Sequence, residues 1–399
     1  MDSNKIGVAI VGCGAMGQVH AAIASGIESL EIAAVVDPVP RAAERVAELL
    51  SNAGHPRPQQ FQSLTSALTI PEVRLVVLIT PSGLHVAEAA AALDAGRHVI
   101  IEKPLDVDLR RARALTDRAR TAAEAGLVTS VISQHRFDTA SQLVTEALSN
   151  QAFGRLSSAI ASTAWWRSQD YYDAAEWRGT WQMDGGGALM NQAVHNVDLL
   201  LSFMGRPVEV FGRTALIAHD RIEVEDSAVA TATFESGAIA VVHATTAAYP
   251  GLATRVHVMG SCGSAVIEDD ELSYYHSSKN SESDVGLMGL QVTAGNMAPE
   301  LLALAQEPDY RLGFELPAAS SKDQYRLDPA SHHRQYLDVV RAIVEGGVPG
   351  VSAQHAFDAL ALIRSVYVST TIGRPVLFED VSAGLYDDVD VNVQAVRPN

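Results

Sequence analysis

The N-terminal segment carries the pattern that most restricts the fold of this chain. Residues 6–11 form an uninterrupted apolar run, which predicts a strand that is buried on both faces. Three glycines spaced G-x-G-x-x-G follow at once, then a helix-compatible stretch from His20, and then a second apolar run at residues 32–36 that ends in Asp37. This order of strand, glycine turn, helix, strand and acid is typical of a dinucleotide-binding βαβ unit.

The glycine turn and Asp37 predict how a cofactor binds. The glycines permit a tight turn and the close approach of a pyrophosphate, which rests on the helix N-terminus where unpaired N–H groups point outward. Asp37 is expected to bind the adenosine ribose hydroxyls and to repel a 2′-phosphate, which favours NAD. Arg41 and Arg45 lie close behind it, so NADP stays open as the less favoured cofactor. The predicted cofactor-binding residues here are Gly12, Gly14, Ala15, Met16, Gly17 and Asp37.

Strand-like and helix-like stretches go on alternating through the first third of the chain. Apolar runs cover residues 75–79, 98–101 and 128–132, and helix-compatible stretches cover residues 86–93 and 109–125. This alternation predicts a parallel, doubly wound sheet, whose ligands bind beyond the carboxyl ends of the strands. Gln134 falls at this edge too, and we predict four further cofactor contacts there: Thr80, Pro81, His85 and Glu102.

The tripeptide Glu102-Lys103-Pro104 follows the apolar run at residues 98–101. A lysine between a carboxylate and a proline is an unusual choice for a simple turn. An X-Pro bond adopts the cis form at modest cost, and a cis bond here would direct the lysine out of the strand and into a cleft. We therefore predict that Lys103 is a catalytic residue that also contacts the cofactor.

A second polar pattern follows the glycine run at residues 185–187. Asn191, His195 and Asp198 are spaced i, i+4, i+7 on a predicted helix and so share one face. The pattern also fits an amphipathic helix whose histidine packs in the interior. The glycine run, which lets a ligand approach the backbone, and Lys103 elsewhere favour the functional interpretation. We predict that His195 is catalytic and that Asn191 binds substrate.

All four tryptophans of the chain occur between residues 165 and 181, together with several tyrosines and arginines. Flat rings stack on pyranose faces, and guanidinium groups bind carboxylate or phosphate, so this segment suits a carbohydrate pocket. A packed structural loop explains the same composition equally well. The substrate-binding candidates are Trp166, Arg167, Tyr171 and Arg178.

Beyond residue 205 the sequence is rich in strand-like segments. They cover residues 208–214, 227–234, 238–245, 255–260 and 264–268. Their alternation predicts an antiparallel sheet. Residues 276–330 read as a long irregular excursion, and helices return at residues 333–345 and 353–371. His332 and His333 lack nearby carboxylates at ligand spacing, so we predict no metal site. The expected division is an NAD-binding domain at 1–133, a substrate-binding and oligomerisation domain at 134–378 and an acidic tail at 379–399.

Bulk properties exclude several classes of protein. A length of 399 residues suits two domains. The net charge of −18 argues against a nucleic-acid surface, which needs clustered Lys and Arg. We expect a cytoplasmic protein without membrane contact, because we find neither an apolar run of membrane-spanning length nor a signal region. Cys13 and Cys262 lie far apart and indicate neither a disulfide framework nor a zinc site.

Five segments together resemble the Gfo/Idh/MocA oxidoreductases, which include glucose-fructose oxidoreductase and inositol dehydrogenases. They are GCGAMG, TPSGLH, EKP, GGGALMNQAVHNVD and VSTTIGRPV. The resemblance implies an N-terminal Rossmann domain and a C-terminal α/β domain with an open-faced, largely antiparallel sheet, assembled as a homodimer or homotetramer. It also implies that Lys103 lies in the active site and that His195 acts in proton transfer.

One position departs from the pattern of many polyol dehydrogenases in that family. They carry an aspartate four residues before the histidine, where this chain has Asn191; an asparagine can orient a hydroxyl but cannot take a proton. The N-Q-x-x-H form looks more like members acting on hexoses or sugar-nucleotide uronates. We predict an NAD-dependent dehydrogenase that oxidises a ring secondary alcohol of a sugar, sugar derivative or inositol to a ketone. An NAD-dependent glycoside hydrolase and a non-catalytic NAD or sugar sensor stay open as alternatives.

Overall fold

The fold was derived from a computed structural model, which describes residues 5–279, 289, 295–305, 310–316 and 329–391. The strands of the described residues are β1 Ile6–Val11, β2 Leu30–Val36, β3 Gln59–Phe61, β4 Val73–Leu78, β5 His98–Ile101, β6 Thr129–Val131, β7 Leu156–Ala164, β8 Pro207–Ala215, β9 Ser227–Phe234, β10 Ile239–Thr245, β11 Arg255–Gly260, β12 Gly263–Glu268, β13 Glu271–Ser277 and β14 Val376–Leu377. The helices are α1 Ala15–Gly26, α2 Pro40–Asn52, α3 Leu64–Ala67, α4 His85–Asp94, α5 Leu109–Glu124, α6 Thr139–Ser149, α7 Gln169–Asp173, α8 Val194–Met204, α9 Ala298–Leu304, α10 Pro329–Glu345, α11 Ala353–Ile372 and α12 Phe378–Ser382.

The chain divides into two compact units, each built from three segments. The first unit comprises Met1–Asp106, Arg111–Gln134 and Pro308–Ala356. The second comprises Val107–Arg110, His135–Glu307 and Phe357–Asn399. This division differs from the linear one expected from the sequence, which put residues 308–356 in the second domain and set residues 379–399 apart as a tail.

Packing of α10 explains why the first unit takes in a late segment of the chain. Tyr336, Val339 and Ala342 are fully buried in the apolar core of the first unit, together with residues of α1 and β1. The Tyr336 hydroxyl also lies 2.8 Å from Nδ1 of His20 on α1. The sequence did not predict this contact, because apolar residues can pack together however far apart they lie in the chain.

The first unit contains the predicted parallel sheet. Its strand order is β3-β2-β1-β4-β5-β6, and every neighbouring pair is parallel. All six residues of β1 are buried, as expected for a central strand with both faces covered. The strand order reverses direction between β1 and β4, the kind of point at which doubly wound sheets bind ligands.

Two glycines of the turn after β1 have no room for a side chain. Gly12 has a φ of +95°, and a Cβ there would lie 2.4 Å from the carbonyl oxygen of Ile79. A Cβ at Gly17 would lie 2.0 Å from the carbonyl oxygen of Gly12. Both clashes involve backbone atoms, so the close approach of β1, α1 and the end of β4 requires glycine at these positions.

The second unit contains an eight-stranded sheet in the order β13-β12-β11-β7-β10-β9-β8-β14. Strands β7 and β10 are parallel, and the other neighbouring pairs are antiparallel. One face packs under α8, which contacts β7 and β11. The other face exposes Val229, Ile239 and Val241. The predicted fold class, a parallel Rossmann sheet plus a largely antiparallel open-faced sheet, is therefore confirmed.

The long excursion expected at residues 276–330 lies partly outside the described residues. Within them, β13 continues to Ser277 and α9 occupies Ala298–Leu304. Among the described helices, none combines the length and the apolar character needed to cross a membrane.

Candidate active site

The glycine turn of the first unit has the features of an anion-binding helix N-terminus. Gly14 is the N-cap of α1, and as a glycine it has no side chain that could cap the first N–H groups of the helix. No described atom lies within 4 Å of the position of a Cβ at Gly14. Ala15 and Met16 begin the helix, and its first turn contains no acidic residue. The unpaired N–H groups and the open space fit the pyrophosphate of a dinucleotide.

Asp37 is held against the glycine turn by backbone donors. The N–H of Cys13 donates to Oδ2 of Asp37 at 2.9 Å, and the N–H of Val39 donates to Oδ1 at 2.8 Å. These bonds fix the carboxylate at the end of β2, next to the turn that follows β1. The position fits the predicted contact with the adenosine ribose.

His85 connects two of the predicted cofactor segments. Its ring is buried, with Nδ1 at 2.9 Å from the carbonyl oxygen of Pro104 and Nε2 at 2.8 Å from that of Thr80. Thr80 donates its hydroxyl to Glu88 at 2.5 Å, and Pro81 is exposed. Because its two ring nitrogens lie within hydrogen-bond distance of carbonyl oxygens in both segments, His85 connects the turn after β4 to the segment after β5.

Glu102 directly follows β5, whose four residues are all buried, and the peptide bond between Lys103 and Pro104 is cis. Glu102 Oε2 accepts the N–H of Lys103 at 2.9 Å, and Oε1 lies 3.0 Å from Nε2 of His20. Burial acts against ionisation of this carboxyl, but the hydrogen bond with His20 and the surrounding positive charges outweigh it and lower the pKa of Glu102 to about 2. A carboxylate therefore stays ionised directly behind the partly buried Lys103.

His20, Tyr336 and His332 complete this buried cluster, which the sequence analysis did not find. His20 contacts the ring of His332 edge-on, with centroids 5.7 Å apart. The expectation that His332 has no carboxylate near it was wrong, because α10 brings it within 4.8 Å of Glu102 and His20. Both ring nitrogens of His20 are already engaged, by Tyr336 and by Glu102. We therefore assign the cluster to hydrogen bonding, and the absence of a metal site stays a prediction.

The glycine run of the second unit leads into a π-helical turn and not directly into the predicted helix. The π turn covers Ala188–Gln192, and α8 begins at Val194. The expected helical face shared by Asn191, His195 and Asp198 is therefore wrong, because Asn191 and His195 lie in different elements. Asn191 Nδ2 donates to the carbonyl oxygen of Gly186 at 2.8 Å, and so closes its own turn.

The carboxylate of Glu225 causes this change in the helix start. Its oxygens accept the N–H groups of Gly187 at 3.0 Å and Leu189 at 2.9 Å, and the hydroxyl of Tyr367 at 2.9 Å. A Cβ at Gly187 would lie 1.7 Å from the carbonyl oxygen of Glu225. The backbone of the glycine run is thus pinned by a residue almost forty positions later in the chain.

Asp198 also differs from the expected polar face. It is buried and pairs with Arg136, with two nitrogen–oxygen distances of 2.6 Å. This bidentate pair ties α8 to the 3₁₀ turn Gln134–Phe137. His195, one turn earlier on α8, is partly exposed, and its ring contacts that of His135 with centroids 4.9 Å apart.

The tryptophan-rich segment brings three of the four predicted substrate-binding residues together. The Arg178 guanidinium lies 4.4 Å from the ring centroid of Tyr171, and that of Arg167 lies 5.4 Å from it. Arg167 also donates to Gln192 Oε1 at 2.8 Å, beside Asn191. The Tyr171 ring therefore packs against guanidinium groups. Trp166 is exposed and is the better candidate for stacking on a sugar.

His219 contacts the backbone of this segment, and the sequence did not predict this role. Its Nε2 lies 2.8 Å from the carbonyl oxygen of Arg167, and its Nδ1 lies 3.1 Å from Oδ2 of Asp226. Burial lowers the pKa of His219, but the hydrogen bonds with Asp226 and with the Arg167 carbonyl outweigh it and raise the pKa. Asp226 lies in the same loop between β8 and β9, whereas Arg167 lies 52 residues earlier in the chain, so no motif marks His219.

Glu225 predicts a specific dependence of stability on pH. Burial raises its pKa from 4.5 to about 7 against the opposing hydrogen bonds. The folded state therefore holds this proton more tightly than the unfolded state, so the stabilisation is complete below pH 4.5 and is lost as the pH rises through about 7. We expect the Tm advantage of the parent over Glu225→Gln to shrink by roughly 2–5 °C between pH 5 and pH 8. Scanning calorimetry at several pH values, with the exposed Glu235→Gln as control, tests this; an advantage that stays constant contradicts it.

A parallel sheet with this glycine turn and acid, joined to a mixed sheet with its glycine run and histidine, defines an NAD-dependent oxidoreductase. Residues 6–131 match the family model described as "Oxidoreductase family, NAD-binding Rossmann fold", and residues 141–266 match the GFO/IDH/MocA C-terminal domain. The chain belongs to the GFO/IDH/MocA family. The predictions of family, enzyme class and NAD as cofactor are confirmed, whereas the roles of individual site residues stay predictions.

Several relatives and solved structures cover most of the chain. The levoglucosan dehydrogenase of Pseudarthrobacter phenanthrenivorans is 27% identical over 268 residues, which is 60% of this chain and 67% of that protein. The 1,5-anhydro-D-fructose reductase of Ensifer adhaerens is 29% identical over 307 residues, 76% of this chain and 79% of that protein. The crystal structure of the WlbA dehydrogenase from Chromobacterium violaceum, in complex with NADH and UDP-GlcNAcA, superposes with a TM-score of 0.75 at 28% identity, covering 94% of this chain and 97% of the other.

Proposed function

We propose that this protein oxidises a ring secondary alcohol of a sugar or sugar derivative to a ketone, with NAD⁺ as the hydride acceptor. The observation that carries the proposal is the position of Lys103. Lys103 follows β5 at the carboxyl edge of the parallel sheet. In the strand order, β4 lies between β5 and β1, the strand that leads into the glycine turn. A cation at this edge is suited to a substrate oxygen beside a bound nicotinamide.

The relatives support a carbohydrate substrate. The names levoglucosan dehydrogenase and 1,5-anhydro-D-fructose reductase point to sugar-derived rings. The WlbA structure was solved with UDP-GlcNAcA, which supports sugar-nucleotide uronates as one class to test. Inositols belong in the same test, because they also carry secondary ring alcohols.

Each predicted site residue has a separate role in such an oxidation. His195 accepts the hydroxyl proton as general base, since an ordinary imidazole titrates near neutral pH. Lys103 donates hydrogen bonds to the oxygen as negative charge develops there. NAD⁺, when bound, takes the hydride from the ring carbon. Asn191 orients the ring without taking part in proton transfer, because an amide cannot accept a proton at neutral pH.

The tryptophan-rich segment would bind the remainder of the substrate. Trp166, which is 36% exposed, offers an indole ring for stacking. Arg167 and Arg178, packed on Tyr171, offer guanidinium groups to a carboxylate or phosphate. This arrangement favours an anionic sugar over a neutral one.

A substrate panel tests the proposed function. NADH formation would be followed by absorbance with hexoses, inositols, uronates, glycosides and UDP-sugar uronates, using NAD⁺ and NADP⁺ separately. We expect reduction of NAD⁺ with one class of ring alcohol, and weaker or absent reduction of NADP⁺ because Asp37 repels a 2′-phosphate. Release of free sugar from a glycoside without net NADH would indicate the hydrolase instead. Tight NAD binding with neither outcome would indicate a sensor.

We also propose that the protein assembles as a homodimer or homotetramer through the exposed face of the eight-stranded sheet. Val229, Ile239 and Val241 lie on adjacent strands of this face and are each more than a third exposed. Apolar side chains grouped in this way favour burial against another surface. Light scattering would distinguish these assemblies from a monomer of 42.4 kDa. The cytoplasmic location stays a prediction.

A further inference from the structure

A second histidine, which the sequence analysis did not consider, contacts the proposed general base. His135 lies in the 3₁₀ turn Gln134–Phe137, and its ring centroid is 4.9 Å from that of His195 with the planes at 82°. Both residues belong to the second unit. An edge-to-face contact between two imidazoles restricts the rotation of each ring.

Two carboxylates fix the ring of His135. Its Nδ1 lies 2.7 Å from Oδ2 of Asp138 and 3.2 Å from Oδ1 of Asp270. A carboxylate oxygen only accepts, so Nδ1 of His135 carries a hydrogen and donates it between the two groups. The ring is thereby held from its Nδ1 side while it touches His195. Since Nδ1 is engaged in this way, a metal ion at the three residues is not favoured.

The backbone of the β12–β13 hairpin delivers one of these carboxylates. Asp269 and Asp270 form its two-residue loop, with φ values of 46° and 69°. This left-handed conformation is uncommon outside glycine, although aspartate tolerates it. Oδ1 of Asp269 accepts the N–H of Thr254 at 2.8 Å, and the N–H of Asp269 donates to the Thr254 carbonyl at 3.0 Å. The loop is therefore anchored independently of His135.

The two carboxylates at His135 differ in exposure, since the side chain of Asp138 is 14% exposed and that of Asp270 is 50% exposed. Burial raises the pKa of the Asp270 carboxyl, and the nearby Asp138 and Asp269 add to that effect while His135 opposes it. Of the two carboxylates, Asp138 therefore gives His135 the less solvated hydrogen bond. The 3₁₀ turn that begins at residue 134, the helix that begins at residue 194 and the hairpin that begins at residue 263 thus all contribute to the surroundings of the His135 ring.

We propose that His135 is a positioning residue that acts through His195. Asp138 and Asp270 hold the ring of His135, and this ring holds the imidazole of His195 in the orientation that accepts the substrate proton. The proposal rests on the proposed role of His195 as general base. It assigns His135 no contact with substrate and no proton transfer.

The kinetic test compares His135→Ala and His135→Phe with the parent, using the ring alcohol that the panel identifies. We expect His135→Ala to lower kcat by about 10–100-fold while the KM of the substrate and the Kd of NAD⁺ change less than about threefold. His135→Phe should recover only part of the loss, because a flat ring again contacts His195 but cannot bond to Asp138 and Asp270. Glu268→Gln, which removes a carboxylate paired with Arg255 beside the same hairpin loop, should leave kcat unchanged. A kcat within twofold of the parent in His135→Ala overturns the proposal.

A double-mutant cycle separates this proposal from the proposed function. If His135 acts through His195, His135→Ala should cause no further loss in the His195→Gln background. An additional loss of the full size in that background overturns the positioning role but leaves the general base in place. Unchanged turnover in His195→Gln alone would instead overturn the proposed function of His195.

A crystallographic comparison tests the positioning without turnover. In the parent we expect one well-ordered orientation of the His195 ring. In His135→Ala we expect the ring to rotate or to occupy more than one orientation. An identical, fully ordered His195 in both crystals overturns the proposal even if no substrate has been found.

Discussion

Replacement of Lys103 by methionine is expected to lower kcat by about 10²–10³-fold. The ammonium is the only proposed donor to the substrate oxygen from the first unit, and methionine keeps much of the side-chain length but donates nothing. NAD⁺ affinity should change little, because the proposed pyrophosphate and ribose contacts come from the N-terminus of α1 and from Asp37. Steady-state kinetics and titration of NAD⁺ by protein fluorescence measure the two quantities separately.

The contacts around Lys103 indicate that Lys103→Met removes the charge without disturbing the fold. Glu102 is held by His20 as well as by the backbone N–H of Lys103, and that N–H remains in the variant. Lys279→Met, at an exposed lysine of the second unit, is the matched control and should match the parent. Parent-like turnover in Lys103→Met would rule out the proposed role of Lys103.

Replacement of His195 by glutamine is expected to lower kcat by about 10²–10⁴-fold at neutral pH. Glutamine is polar and of similar size, but it cannot accept a proton. If His195 is the general base, raising the pH should partly restore the variant, because hydroxide in solution then takes over the proton. Rates measured from pH 6 to pH 10 would show this recovery.

The matched control for His195 is His55, whose ring bonds to a backbone carbonyl. His55 places Nε2 at 2.9 Å from the carbonyl oxygen of Gly313, and a glutamine amide there could also donate to it. His55→Gln should keep the pH profile of the parent. A His195→Gln profile that is lowered equally at every pH would argue for a structural role of His195.

Local sequence patterns predicted the strands β1, β2, β4, β5 and β6 of the first unit and the helices α1, α4 and α5, but not α2, β3 or α3. The order of β1, the glycine turn, α1, β2 and Asp37 involves neighbours in sequence, and the clash at Gly17 is with the backbone of Gly12 in the same motif. Such short-range requirements leave a mark in the residue types themselves. The cis bond between Lys103 and Pro104 could be anticipated for the same reason, because an X-Pro bond adopts the cis form at modest cost.

Contacts between distant segments could not be predicted from one sequence. Tyr336 lies 316 residues from its partner His20, and neither residue has a neighbour that marks the pair. The helix face expected for Asn191 and His195 failed because Glu225, far along the chain, bonds to the backbone of the glycine run. Periodicity describes a helix in isolation, whereas the start of this helix is set by a tertiary hydrogen bond.

The placement of α10 in the first unit has a consequence for biosynthesis. N-terminal domains usually fold as they leave the ribosome. Here the N-terminal core must wait for Tyr336, Val339 and Ala342, and the bond that orients His20 towards Glu102 waits with it. The first unit therefore cannot complete its core until residues 336–342 have been translated, although residues 1–106 and 111–134 of that unit are made much earlier. A ribosome stalled before residue 336 carries a nascent chain whose cofactor-binding half still lacks part of its core.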